Sequence, residues 1–158
     1  MKILVFSDSH ASRHFMRQCL DSLKPDAAIH LGDYYNDGQD MAEEYASIPF
    51  YAVPGNCDRS RGYVPDPEAK VQIIGGVRFM LTHGHLHNVK MTLTRLVADA
   101  RAMGVQAVLF GHTHEAYCQQ EEDGLWVFNP GSCGYGGGSA GLIEIKDGAI
   151  TDCRIIRG

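Results

Sequence analysis

Five short apolar runs punctuate this chain, and each leads into a cluster of metal-type side chains. Ile3–Phe6 runs into Asp8-Ser9-His10, Ala27–Leu31 into Gly32-Asp33, and Phe50–Val53 into Gly55-Asn56. Val77–Leu81 runs into His83-Gly84-His85, and Ala107–Phe110 into Gly111-His112-Thr113-His114. Short apolar runs bounded by Gly and Pro read as buried strands. In open α/β sheets, ligands collect in the crevice outside the carboxyl ends of the strands. Five such strands deliver Asp, His and Asn side chains to one place. Any one of these tripeptides is common by chance. Together they are the sign of a metal centre built by the whole fold.

Composition narrows the partners. The 158 residues predict one domain, residues 1–158, with no internal repeat and no linker. A chain of this size buries roughly two-thirds of its unfolded surface without disulfide or metal staples. With 14 basic against 19 acidic residues, it offers no polybasic surface for nucleic acid or membrane. The five cysteines (Cys19, Cys57, Cys118, Cys133 and Cys153) are odd in number and form no C-x-x-C pair, which fits a reducing cytoplasm. The first apolar run leads straight into Asp8, so it is read as a strand and not a signal peptide.

Between the runs, periodicity alternates strand with helix. Ser12–Leu23 places Phe15, Met16, Cys19, Leu20 and Leu23 at helical spacing, with Pro25 beyond. A shorter helix is predicted over Gln39–Ala46. The longest covers Val89–Met103, with Met91, Leu93, Leu96, Val97, Ala100 and Met103 as a packing stripe and Gly104 as C-cap. Leu125–Phe128 reads as a strand, and Gly141–Ile145 and Ala149–Ile156 flank Lys146-Asp147-Gly148 as a hairpin. Tyr63–Pro67 reads as a loop.

The ordered set D-x-H, G-D, G-N-C-D, H-G-H and G-H-x-H resembles the calcineurin-like metallophosphoesterase superfamily. It is most similar to the small single-domain phosphodiesterases of the YfcE-like group. The resemblance runs from Met1 through Asn129-Pro130-Gly131-Ser132 to the closing hairpin. It implies an α/β fold, a four-layer α/β/β/α sandwich with mixed sheets. It also implies two divalent ions: Asp8, His10 and His114 as ligands of the first, Asn56, His83 and His112 of the second, and Asp33 bridging both. Imidazole, carboxylate and amide donors suit manganese foremost, with nickel, iron, cobalt or zinc as alternatives.

The implied chemistry is hydrolysis of a small or activated phosphodiester by in-line attack of a metal-bridging hydroxide. Two metals about 3.5–4 Å apart neutralise phosphoryl charge and make a nucleophile at neutral pH. Asp33 and Asn56 serve catalysis as well as binding, and Asn56 is placed to bond a phosphoryl oxygen. Many relatives carry His where this chain has Cys57, next to the substrate. Without that imidazole, general acid help worth about 10²–10⁴-fold is lost. Cys57 is read as a small, buried, inert thiol and Asp58 as structural. His85 either contacts substrate or serves structure. His87 and His14 are read as surface residues, His30 as a satisfied core residue, and Asn129–Ser132 as shaping the rim. Gly134–Ser139 either offers N–H groups to a phosphate or forms a turn, and the Pro-Arg pair frequent in relatives is absent from it.

Two alternatives accompany the diesterase. One is a phosphomonoesterase, disfavoured by Cys57. The other is a non-catalytic scaffold of the Vps29 type, disfavoured by the intact ligand positions. The expected partner is a small phosphoester, with no nucleic-acid platform and no membrane, and homo-oligomers are compatible with the sequence.

Overall fold

The computed structural model describes residues 1–158. In chain order it contains β1 (Lys2–Phe6), α1 (His14–Leu23), β2 (Ala27–His30), α2 (Tyr35–Glu44), β3 (Phe50–Ala52), β4 (Ala69–Ile74) and β5 (Val77–Thr82). There follow α3 (Thr94–Ala102), β6 (Ala107–Leu109), β7 (Tyr117–Gln120), β8 (Trp126–Asn129), β9 (Ser139–Lys146) and β10 (Ala149–Arg157). The strands form two mixed five-stranded sheets, ordered β10-β9-β1-β2-β3 and β4-β5-β6-β8-β7. The pairs β1–β2, β2–β3, β5–β6 and β6–β8 are parallel, and β1–β9, β9–β10, β4–β5 and β7–β8 are antiparallel.

Strand alternation explains the layers. In β1, Ile3 and Val5 point into a core shared by both sheets, where they meet Phe79, Leu81, Leu109 and Phe128. Leu4 and Phe6 point the other way and pack under Met16, Leu20 and Met41 of α1 and α2. On the far sheet, Met80 and Val108 face Leu96, Val97 and Ala100 of α3. Strands buried on both faces read as continuous apolar runs, which is why the central ones were legible. The result is an α/β/β/α sandwich, as the resemblance implies.

Several boundaries differ from expectation. α2 begins at Tyr35, four residues before the predicted Gln39. Gly38 lies inside it because a Cβ there would sit 2.9 Å from His30 Cβ, so this glycine permits close helix–strand approach. α3 begins at Thr94 and not Val89, because Asn88 is left-handed and Thr92 Oγ1 accepts the Thr94 N–H at 3.2 Å. Met91 and Met103 therefore fall outside the packing stripe, and both are exposed. β4 and β7, both sheet edges, were not foreseen. Lys70 and Gln72 break the apolar run of β4, β7 ends in two glutamines, and no ligand cluster marks their ends. The β9–β10 hairpin turns at Asp147 and Gly148, both at positive φ, as the Asp-Gly pair predicts.

Candidate metal centre

The parallel strands of both sheets end on the same side, and the five clusters meet there. The turns are tight. Asp8, His10, Asp33, His112 and His114 all adopt positive φ, a conformation non-glycine residues rarely hold unless the surroundings enforce it. The Asp8 N–H donates to the Gly32 carbonyl at 2.9 Å, which ties the end of β1 to the end of β2. Gly32 itself is obligatory, since a Cβ there would lie 2.3 Å from the Gly55 nitrogen.

Asp8 is fully buried, and its two oxygens differ. Oδ2 accepts from Ser7 Oγ at 2.6 Å and from the His112 N–H at 3.1 Å. Oδ1 has no hydrogen-bond partner. It lies 3.2 Å from His114 Nε2, and 3.8 Å from both His10 Nε2 and His83 Nε2. A buried carboxylate oxygen without a donor is costly. One surrounded by imidazole nitrogens fits a site built for a cation. His10 Nε2 is likewise buried and without a partner.

Two groups of ligand atoms each converge within 4.8 Å, Asp8 with His10 and His114, and Asp8 with Asp33 and His83. His112 Nδ1 adjoins the second group, 3.2 Å from His83 Nε2. Asp8 thus reaches toward His83 as well as toward His10 and His114. Asn56 stands at the exposed mouth, its amide 3.6 Å from Cys57 Sγ. The His85 ring centroid lies 5.7 Å from that of His83 and 6.2 Å from that of His112, and its Nε2 faces Glu68 at 4.0 Å.

Electrostatics follow from burial and from these neighbours. Burial opposes ionisation of Asp33, but hydrogen bonding and charge from His83, with the Cys57 N–H at 3.1 Å, hold its carboxyl well below the usual range. Burial disfavours a charged His83, yet Asp33 and Asp8 raise its pKa overall. Burial, then His83, lowers His112 to about 4, so His112 offers a lone pair at neutral pH.

Supporting groups hold these side chains in place. Asp58 is buried and accepts N–H bonds from Asp33 and Tyr35 at 2.9 Å and from Gly55 at 2.7 Å, so its role is structural. Asn129 is buried beneath the His112 loop and donates to the Gly111 carbonyl at 3.1 Å, and Ser132 Oγ donates to the Asp8 carbonyl at 2.8 Å. These two residues brace the centre from below and do not shape its rim. The Gly134 and Tyr135 N–H groups both donate to Ser132 Oγ, so this loop is a braced turn. His30 is a satisfied core residue. Its Nδ1 accepts from the Gly32 N–H, which leaves Nε2–H to donate to Ser9 Oγ at 2.9 Å. His14 is exposed, as expected.

Two expectations are corrected. His87 is buried, with Nε2 3.0 Å from an Asp99 carboxylate oxygen on α3, and is not a surface residue. Cys57 is half-buried, not buried; burial and the adjacent Asp33 push its thiol pKa up, which keeps it a poor nucleophile. Beside the centre stand two residues not singled out in the sequence, Tyr34 and Arg61, and one, Tyr135, from the Gly134–Ser139 segment. Tyr34 and Tyr135 place their ring centroids 5.1 and 4.8 Å from that of His10, and the Arg61 guanidinium lies 4.0 Å above the Tyr34 ring. A tyrosine between glycines was the one available signal.

This sandwich, with its carboxylate–imidazole centre at the strand ends, defines a metallophosphoesterase. The chain belongs to the calcineurin-like phosphoesterase superfamily, whose domain description matches residues 1–148. It is 32% identical over 135 residues to the probable metallophosphoesterase YsnB of Bacillus subtilis, covering 84% of this chain and 75% of that protein. It is 28% identical over 149 residues to the phosphodiesterase MJ0936 of Methanocaldococcus jannaschii, covering 84% of each chain. Among solved structures, Vps29 of Entamoeba histolytica complexed with zinc superposes with a TM-score of 0.74 at 22% identity, over 99% of both chains, which speaks to the fold alone. No helix is long and apolar enough to cross a membrane.

Proposed function

We propose that this chain is a phosphodiesterase that hydrolyses small or activated phosphodiesters with two divalent ions. The observation that carries the proposal is the unpartnered Asp8 Oδ1, buried among the Nε2 atoms of His10, His83 and His114. Asp8, His10 and His114 would hold one ion, Asn56, His83 and His112 the other, and Asp33 both. The donor set suits manganese first, and nickel, iron, cobalt or zinc next. Such a pair, when bound, neutralises phosphoryl charge and makes a nucleophile available at neutral pH.

The protein residues supply the rest. Asp33, kept ionised, balances the cationic charge. Asn56, at the open mouth, is placed to donate its amide to a phosphoryl oxygen, and His85 lines the same side. The Cys57 thiol gives a departing alkoxide little help, which favours substrates with good leaving groups and disfavours monoesters. The phosphodiesterase name of the archaeal relative supports the same choice. The five free thiols suit a reducing cytoplasm.

The test is turnover by purified protein of an aryl phosphodiester and its matching monoester, with manganese and then nickel added. A higher kcat/KM for the diester is expected. No turnover of either ester at full metal occupancy would overturn the proposal. Because the similar Vps29 chain was solved with zinc, metal binding alone does not separate an enzyme from an assembly protein, and turnover does.

A further inference from the structure

On the His10 side of the centre lies a cavity of about 220 Å³, lined by Tyr34, Asn36, Asp58, Arg61 and Val64 among others. At roughly 30 Å³ per water it has room for about seven waters, or for a phosphate or carboxylate with its first few attached atoms. Asp58, the acid on its wall, has both oxygens committed to backbone N–H groups. The remaining charge in the wall is Arg61.

Arg61 is exposed and, like Arg78, Arg95 and Arg157, forms no ion pair; its contact with Tyr34 at the cavity wall sets it apart. Arg59 pairs with Glu68 at 3.1 Å and donates to the Asp66 carbonyl, and Arg13, Arg17, Arg101 and Arg154 each pair with acids. Arg61 has no carboxylate within 4.0 Å, and its guanidinium rests with its centre 4.0 Å from the Tyr34 ring centroid. The guanidinium N–H groups make no hydrogen bond within the protein, so they are available to a bound oxyanion. The result is a pre-oriented, unpaired cation beside the metal centre of a chain whose net charge is −5.

We propose that this cavity is a subsite for the non-reacting arm of the substrate, in which Arg61, held against Tyr34, binds a second anionic group, phosphate or carboxylate. The inference rests on the diesterase activity proposed above. It selects, within phosphodiesters, those that carry a further negative charge on one arm. A planar fork recognises either oxyanion through paired N–H bonds.

The experiment uses the manganese-loaded protein and p-nitrophenyl diesters of thymidine 5′-phosphate whose 3′ position bears hydroxyl, phosphate or carboxymethyl. Wild type should favour one or both anionic arms by about tenfold in kcat/KM, a gain that shrinks with added salt. Arg61→Gln should bring the ratio of anionic to neutral arm near one. Arg95→Gln, which removes the same charge from exposed α3, should keep the wild-type ratio. A phosphate-only preference supports the narrower form of the proposal. Equal turnover of all three, or a preference that survives Arg61→Gln, overturns it. Calorimetry with thymidine 3′,5′-bisphosphate against thymidine 5′-phosphate gives a second readout. If no ester is turned over, the activity proposal fails, while the ratio of these affinities in wild type and Arg61→Gln still decides the subsite.

Discussion

His83 Nδ1 lies 2.7 Å from the carbonyl oxygen of Leu31, joining the end of β5 in one sheet to the end of β2 in the other. Donation from Nδ1 leaves Nε2 facing Asp8 and Asp33, at 3.8 and 3.5 Å. A backbone carbonyl thus sets the ring orientation that a metal ligand needs. His83→Ala removes that nitrogen and leaves the Leu31 carbonyl buried and unpaired, a penalty of about 1–3 kcal/mol. The expected outcome is loss of one of two bound ions together with a lower melting temperature. Calorimetry and metal analysis of the same sample check both.

Asp58 carries a different load, since it anchors the Asp33 and Gly55 turns at once through three N–H bonds. Asp58→Ala should cost about 2–4 kcal/mol, because three buried N–H groups lose a charged acceptor. In a domain of this size that lowers the melting temperature by roughly 5–10 °C. A change under two degrees in thermal unfolding would show that water replaces the carboxylate.

Acid stability of the metal-free protein follows from the histidines. His112 is lowered to about 4 by burial and His83, and burial also lowers His30. A base whose folded pKa lies below its unfolded value binds more protons when unfolded. Its contribution is therefore present at pH 7 and lost as pH falls from about 6.5 toward 4. His83, raised overall, acts with the opposite sign and strengthens below neutrality. Burial also lowers His85, so three lowered histidines stand against one raised, and stability should fall on acidification. His112→Asn should flatten that fall by about 1 kcal/mol, a figure discounted for its partial exposure. Urea unfolding at pH 7 and pH 5 measures it.

Residue 57 should set leaving-group tolerance. Cys57→His places an imidazole at the centre, where its protonated form can stabilise monoester charge and protonate a departing alkoxide. Monoesterase activity should rise relative to diesterase activity, most for poor leaving groups. Cys57→Ala should leave aryl diester turnover within roughly tenfold of wild type. A leaving-group series on all three proteins checks both outcomes; an unchanged mono-to-diester ratio in Cys57→His contradicts the assignment.

The sheet centres and the gathering of Asp and His side chains at their ends were legible because one physical rule writes both. A parallel strand buried on two faces is a solid apolar run, and its carboxyl end is where Asp8, Asp33 and His112 must turn. The edges β4 and β7 obey no such rule, since one side of each strand is unpaired and polar residues are tolerated there. His87 was misjudged because its burial depends on Asp99, a helix away, and nothing local encodes that. Gly38 sits inside α2 because His30 packs against it, a contact that no local pattern encodes. Tyr34 and Arg61 join the centre only through tertiary packing, so no spacing in the chain announced them, whereas Tyr135 lies in the glycine-rich segment Gly134–Ser139.

The central claim is a dinuclear centre that shares Asp33, and metal content per chain tests it most directly. Protein stripped with chelator, reloaded with manganese and desalted should carry close to two ions per chain. Asp33→Asn, prepared in the same way, should carry fewer than one, because both sites lose a ligand together. Wild type that never exceeds one ion, or an Asp33→Asn variant that still holds two, would contradict it.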